Sequence, residues 1–299
     1  MASPVFQRVI VLGAGGSLGP AILKALARHF EVSILTRKCS TSSFAPTFKV
    51  VTIADDYPTA ELLEAFKNQD VVVCLMSPWA CESQKQIIDA AVKAGVKRFI
   101  PAEFAYDSTN ANAIKHLPAL QIRANIVTHL QAQESKGLTW TAFITGPFLD
   151  WCLLNGRMGF DVVNREAMIF DQGDQPFSTS TLALIGDAVA RALLQPEATQ
   201  NRRLFVSSVT TTQNKILAAL QKHSKEPWKT TSVESRTKVD EANEMFKTGG
   251  DPVEAFKFLI MAVQYGANTG SDFSGRDSNE LLGLVHEDLD EIVQRVLDD

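Results

Sequence analysis

Between Phe99 and Leu130 the chain reads "FIPAEFAYDSTNANAIKHLPALQIRANIVTHL" and carries Glu103, Tyr106, Asp107, Lys115, His116 and Arg123. These side chains can give or take a proton, or hold a fixed charge. A tyrosine followed by lysine four residues on is a common acid for carbonyl reduction. The tyrosines here are Tyr57, Tyr106 and Tyr265, and none has lysine at that spacing. On a helical wheel centred on Arg123, Ala119, Leu120, Ile126, Val127 and Leu130 fall within about 60° of it. Arg123 therefore sits in an apolar stripe, where a guanidinium is paired, contacts a ligand or snorkels to the helix end. Glu103 and Asp107 are its candidate ion-pair partners. Lys115 and His116 precede the helix, aimed either into a cleft or into water.

The elements that would position these groups follow from hydrophobic period. "RVIVLGAGG" is a short β-branched run ending in glycines, hence a buried strand and a tight turn. "EVSILTRK", "FKVVTIADD", "DVVVCLMS", "VKRFIPAEF" and "LTWTAFITGPF" read as five further strands, alternating with helical segments. Pro118 stands near the first turn of the helix bearing Arg123, where a missing N–H costs little. Six strands alternating with helices predict an α/β fold, a Rossmann-type doubly wound parallel sheet. After about residue 150 the alternation loosens. The expected division is a dinucleotide-binding domain over 1–150 and a smaller substrate-side α/β region over 151–299, with segments crossing between them.

"GAGGSLG" places Gly13, Gly16 and Gly19, with Ser17 and Leu18, between the first strand and first helix. Glycine there allows the tight turn and close approach of backbone N–H groups to a pyrophosphate, on the positive end of the helix. A site preferring a free ribose has an acid about twenty residues beyond the glycines. This chain has Thr36, Arg37 and Lys38 instead, two cations suited to a 2′-phosphate, so the expected cofactor is NADPH. Ligands lie beyond the carboxyl ends of the strands in such sheets. That rule puts Met76, Ser77, Pro78 and Trp79 after the fourth strand at the cleft, and Phe148 and Trp151 after the sixth. Their rings suit a flat apolar substrate, and equally suit packing between domains. The glycine-flanked "NTGSDFSG", with Ser271, Asp272 and Phe273, is expected to close over the cleft.

Composition narrows the partners. The net charge is −5 over 299 residues, without a basic block, which argues against nucleic acid. Cys39, Cys74, Cys81 and Cys152 form no Cys-x-x-Cys pair, and no histidine lies at metal-ligand spacing from another, so no metal site and free thiols are expected. No secretory leader and no apolar stretch long enough for a bilayer is evident, which gives a cytoplasmic protein without a membrane partner as the default.

"GAGGSLG", "AGVKRFIPAEF", "GLTWTAFITGPFLDW" and "GSDFSGRDSNELLGL" together resemble the NmrA-like and isoflavone-reductase-like family of atypical short-chain dehydrogenases, particularly its fungal members. The resemblance runs through most of the chain. It implies a Rossmann domain binding NADPH, with Pro101, Glu103 and Phe104 beside the cofactor, and a cleft for an aromatic or polyketide-like molecule of secondary metabolism. The family's common "PSEFG" stands here as "PAEFA", with Ala102 and Ala105. Its catalytic lysine position falls on Arg123. Arginine keeps its proton, so it can orient a carbonyl or stabilise developing charge but cannot serve as acid or base. The expected activity is NADPH-dependent reduction of a ketone or activated double bond, with Arg123 as clamp and Lys115, His116 or Tyr106 as proton source. The alternatives are a non-redox isomerase, dehydratase or cyclase on the same fold, and an NADP-sensing regulatory protein. A monomer or homodimer is expected.

Overall fold

A computed structural model describes residues 6–298, the side chains of residues 78 and 79 excepted. The first half runs β1 (Arg8–Leu12), α1 (Gly19–Leu26), β2 (Glu31–Arg37), β3 (Lys49–Ile53), α2 (Thr59–Phe66), β4 (Val71–Cys74), α3 (Gln84–Lys93), β5 (Arg98–Ile100), α4 (Ala111–His116), α5 (Ala119–Gln131) and β6 (Thr139–Ile144). The second half runs α6 (Leu149–Leu154), β7 (Phe160–Asp161), β8 (Glu166–Phe170), β9 (Phe177–Thr179), α7 (Leu182–Leu194), α8 (Pro196–Thr199), β10 (Arg202–Phe205) and β11 (Val209–Thr211). It ends with α9 (Gln213–Ser224), β12 (Lys229–Val233), α10 (Ser235–Thr248), α11 (Pro252–Tyr265), α12 (Asn279–Leu282) and α13 (Leu289–Asp298).

The central sheet has seven strands in the order β10-β6-β5-β4-β1-β2-β3. All its pairings are parallel. The fold is thus the doubly wound α/β architecture expected from the alternation, with one strand more. β1 and β4 are buried along their apolar runs because helices cover both faces. On one face Val9, Val11, Ile22, Leu26, Val71 and Phe143 pack with Ile185 and Val189. On the other, Ile10, Leu12, Val72, Ile87, Phe99 and Val127 form a second core. Each such side chain contributes about 1.5–3 kcal/mol on full burial.

The chain crosses back over residue 150 to complete the first unit. β10 adds to the sheet beside β6, in register from Arg202 opposite Thr141 to Phe205 opposite Ile144. α7 lies on α1 so closely that a Cβ at Gly186 would stand 2.6 Å from the Ala21 carbonyl oxygen. The remaining segments build the sheet β12-β8-β7, the pair β11-β9, and a core around Phe160, Phe170, Phe177, Leu220 and Tyr265. α4 and α11 close a fourth core around Tyr106, Leu120 and Phe258. Among the described residues no helix is long and apolar enough to cross a membrane, and no cluster could hold a metal ion.

Candidate active site

One cavity of about 720 Å³ runs along the carboxyl ends of β1, β2, β4 and β5. One end is the turn between β1 and α1. Gly13 adopts a positive φ of 75°, and a Cβ there would meet the Leu75 carbonyl oxygen at 2.7 Å. At Gly19 a Cβ would lie 1.8 Å from the Ala14 carbonyl oxygen, so only glycine lets α1 start this close to the strand. Gly16 and Gly19 each donate an N–H back within the turn, at 3.2 and 3.1 Å. Pro20 has no N–H, and Gly19 and Ile22 donate to Gly16 and Leu18, so α1 acts on the cavity through the positive end of its dipole and the turn before it supplies the close backbone. Gly13, Gly16, Ser17, Leu18 and Gly19 all line this end.

Beyond the turn lie Thr36 and Arg37 at the end of β2, then Cys39, Ser40, Thr41 and Ser42. Lys38 is exposed and does not line the cavity. A carboxylate does stand nearby, but Asp55 accepts the Cys39 N–H at 3.0 Å and lies outside the lining. That hydrogen bond, with help from Arg37 and Lys38, holds its pKa below the ordinary value. This end thus presents hydroxyls and a guanidinium, with no acid to compete for a ribose. The donor set fits a pyrophosphate and a 2′-phosphate.

The other end is mostly apolar, with Ser77 and one cation. Leu75, Met76 and Ser77 follow β4; Ala80 follows them, and Ala102 and Phe104 follow β5. Phe148, Trp151 and Ile260 close the wall from α6 and α11. Phe104 is held flat by stacking on Phe143, with ring centres 5.7 Å apart. Trp79, expected beside them, has its side chain outside the described residues.

Arg123 enters this end from α5. Its Nη1 donates to the Glu103 backbone oxygen at 2.8 Å, and no ion pair to Arg123 occurs among the described residues. Asp107 instead pairs with Arg276 at 3.1 Å. The Glu103 carboxyl turns inward, fully buried, and accepts from Ser108 Oγ. Burial raises its pKa, while Ser108, Arg123 and Arg203 pull the other way. Pro101 is buried and, like the Glu103 side chain, stays off the cavity surface.

The other proton-transfer candidates stand away from the cavity. Tyr106 is buried and donates to Gln264 Oε1 at 2.9 Å. Burial pushes its phenol well above the ordinary pKa, which makes it a poorer acid. Lys115 is exposed and His116 half-buried on α4, and neither lines the cavity.

Ser271 and Phe273 behave differently from a closing loop. Ser178 N–H donates to the Ser271 carbonyl at 2.8 Å, and Phe273 N–H donates to Ser178 Oγ at 2.8 Å. Phe273 is fully buried, edge-on to Phe205, and away from the cavity. Arg276 lies over the Phe205 ring at 4.2 Å while pairing with Asp107. The segment is anchored within the second half, because its hydroxyls and backbone groups find partners inside, and the Arg276–Asp107 pair ties it to the first.

Several lining residues carried no sequence signal. Ile260 arrives through the packing of α11, and Ala80 is a small residue that matters only for the space it leaves. Ser40 to Ser42 were open to reading as polar residues beyond the basic end of β2.

A doubly wound sheet with a glycine turn and a cleft at its strand ends defines a dinucleotide-dependent enzyme fold. Residues 6–251 match the NmrA-like family. Over 97% of this chain and 98% of the relative's, it is 40% identical to oxidoreductase aprR of Aspergillus flavus. AtPrR2, solved with NADP+ and (+)pinoresinol, superposes with a TM-score of 0.80 at 20% identity, over 97% of this chain and 99% of that one. Isoflavone reductase superposes with a TM-score of 0.76 at 19% identity, over the same shares of each chain. The chain belongs to the NmrA-like family, and it is an oxidoreductase of that family.

Proposed function

We propose that the protein is an NADPH-dependent reductase of a small aromatic or polyketide-derived molecule with a polarised double bond, acting in secondary metabolism. The observation that carries this reading is the single cavity joining the glycine turn and Arg37 to an apolar end bearing Arg123. In the reading, the glycine turn and the positive end of α1 hold the pyrophosphate and Arg37 holds the 2′-phosphate. Reduced nicotinamide, when bound, supplies a hydride. Phe148 and Trp151 hold a flat substrate, excluding water from the reacting carbon. Arg123 offers guanidinium N–H groups to a substrate oxygen and fixes its orientation.

The lining contains no Lys, His, Asp or Glu among the described residues. Its tyrosine, Tyr57, lies near Arg37, whose guanidinium stands 5.9 Å from the ring centre. With no such group in the lining, water supplies the proton in this reading. A double bond conjugated to a carbonyl suits that arrangement better than an isolated ketone. Its reduction leaves a delocalised enolate, which can wait for a proton from solvent. The unpaired thiols fit a reducing compartment such as the cytosol.

The test is NADPH consumption with matched aromatic enones and aromatic ketones. Turnover of the enones with little or none of the ketones is expected. Product formed from either class at constant NADPH would replace the reading with an isomerase or dehydratase. Binding of NADPH without any product from either class would leave a sensor.

A further inference from the structure

Charge is distributed unevenly around the cavity. The whole chain carries −5, yet the lining holds two guanidinium groups and no carboxylate among the described residues. The proposed NADPH site accounts for Arg37, and the role of Arg123 is inferred on the basis of that site. The 2′-phosphate beside Arg37 gives Arg123 itself no counter-charge.

Three strand spacings, β2 to β1 to β4 to β5, separate the end of Arg37's strand from the end of the strand leading to Glu103. At about 4.8 Å per spacing this is roughly 14 Å, too far for Arg123 to share the 2′-phosphate with Arg37. Arg123 also makes only one hydrogen bond among the described residues, to a backbone carbonyl. A neutral donor could make that bond equally well, so it does not explain a full positive charge. The Nε and Nη2 groups have no acceptor among the described residues and are not buried unpaired atoms. Arg123 itself lines the cavity.

Their surroundings are poor at hydrating a charge. Met76 and Phe104 are buried, and Phe148, Trp151 and Ile260 are half-buried. The carboxyl of Glu103, whose carbonyl Arg123 contacts, turns inward to Ser108, and its burial favours the neutral form. A guanidinium flanked by apolar walls is costly until a counter-charge arrives. Its Nε–H and one Nη2–H form a fork that a planar oxyanion matches in shape, accepting both in parallel. A neutral carbonyl would leave the charge uncompensated.

We infer that Arg123 is an anion-recognition residue, and that the substrate already carries a planar, resonance-stabilised oxyanion when it binds. The chemical class is a flat, conjugated organic acid: a carboxylate, or the enolate of an acidic hydroxylactone or 1,3-dicarbonyl. Arg123 then selects the substrate by charge, while the polarised bond that is reduced lies elsewhere on the same molecule.

The experiment uses two matched pairs of probes with the full-length protein saturated with NADP+. Cinnamate is compared with cinnamamide, and triacetic acid lactone with its neutral methyl ether, by titration calorimetry at neutral pH. At least one acid should bind about tenfold or more tightly than its neutral partner, as expected of a charge-assisted pair. Which pair shows the gap distinguishes a carboxylate from an enolate. Arg123→Gln should abolish the gap by weakening the acid alone and leave NADP+ affinity unchanged, which also shows that the variant is folded. Arg123→Lys should retain part of the gap. Equal binding within both pairs by the wild type, or a gap that survives Arg123→Gln, overturns the inference. Loss of NADP+ affinity in both variants also overturns it, by assigning Arg123 to the cofactor. Failure of the wild type to bind NADP+ at all counts against the proposed function, a separate result.

Discussion

Replacing Arg37 with alanine should erase most of the preference for NADPH over NADH without weakening NADH. Arg37 lines the cavity at the end of β2, whereas Lys38 does not, so one guanidinium carries the charge contribution. Hydrogen bonds to charged groups are worth about 1.5–3 kcal/mol. Arg37 is exposed, and solvent screening argues for the lower figure, about 1.5 kcal/mol or roughly tenfold in Kd. Thr36 and the hydroxyls of Ser40, Thr41 and Ser42 remain in the variant, so NADPH should still bind. The assay is calorimetric titration of wild type and Arg37→Ala with both cofactors, repeated at higher salt. The wild type should favour NADPH by about tenfold or more, with the gap narrowing as salt rises. Equal loss for both cofactors in the variant would refute the reasoning, because it would place Arg37 on a part they share. So would a variant that keeps the full preference.

Gly19→Ala should lower both melting temperature and NADPH affinity, since the added Cβ would overlap the Ala14 carbonyl and force α1 away from the strand. An affinity and melting curve matching wild type would show that the turn absorbs the methyl group. Phe273→Ala should cost about 3–5 kcal/mol in chemical denaturation, as for a fully buried ring. Hydrogen exchange across residues 268–275 should be slow before any ligand is added and unchanged afterwards. Fast exchange that slows with substrate would restore the closing-loop expectation.

Local signals in the sequence were enough for the first half of the fold. The β1 run, the glycine turn and the basic end of β2 each depend on neighbours within a few residues. Their placement around one cavity then follows from the strand-end rule. The second half depends on partners distant in sequence. "RRLFVSS" reads as a strand, but only the packed structure shows β10 beside β6 in the main sheet. α10 buries only Ala242 fully, so its polar sequence carries little helical stripe to read. "NTGSDFSG" has the composition of a surface loop, yet hydrogen bonds with Ser178 and Val263 draw Ser271 and Phe273 inside. For Arg123 the helical wheel located the stripe correctly. It could not show that the partner would be the backbone oxygen of Glu103 rather than a carboxylate.

That distinction makes Glu103 itself a test. Its carbonyl positions Arg123, while its carboxyl is buried, accepts from Ser108 and leaves Oε2 without a partner. Burial raises the folded-state pKa above the ordinary carboxylate value of 4.5. Between those two values the folded state holds more protons than the unfolded state, so stability falls as pH rises through the window. Above the window the buried charge is a standing cost. Glu103→Gln retains the backbone oxygen and an acceptor for Ser108 but cannot ionise. The difference in melting temperature, variant minus wild type, should therefore increase from acidic to neutral pH. Comparing the two proteins cancels the surface acids Asp55, Asp161 and Asp290, whose pKa values are lowered and whose effect has the opposite sign. NADPH affinity should be unchanged, because the carboxyl does not reach the cavity. A difference that is flat or falls with pH would show that Glu103 is ionised and paired in the folded protein. Arg123 would then have its counter-charge inside the wall, and its claim on an anionic substrate would weaken with it.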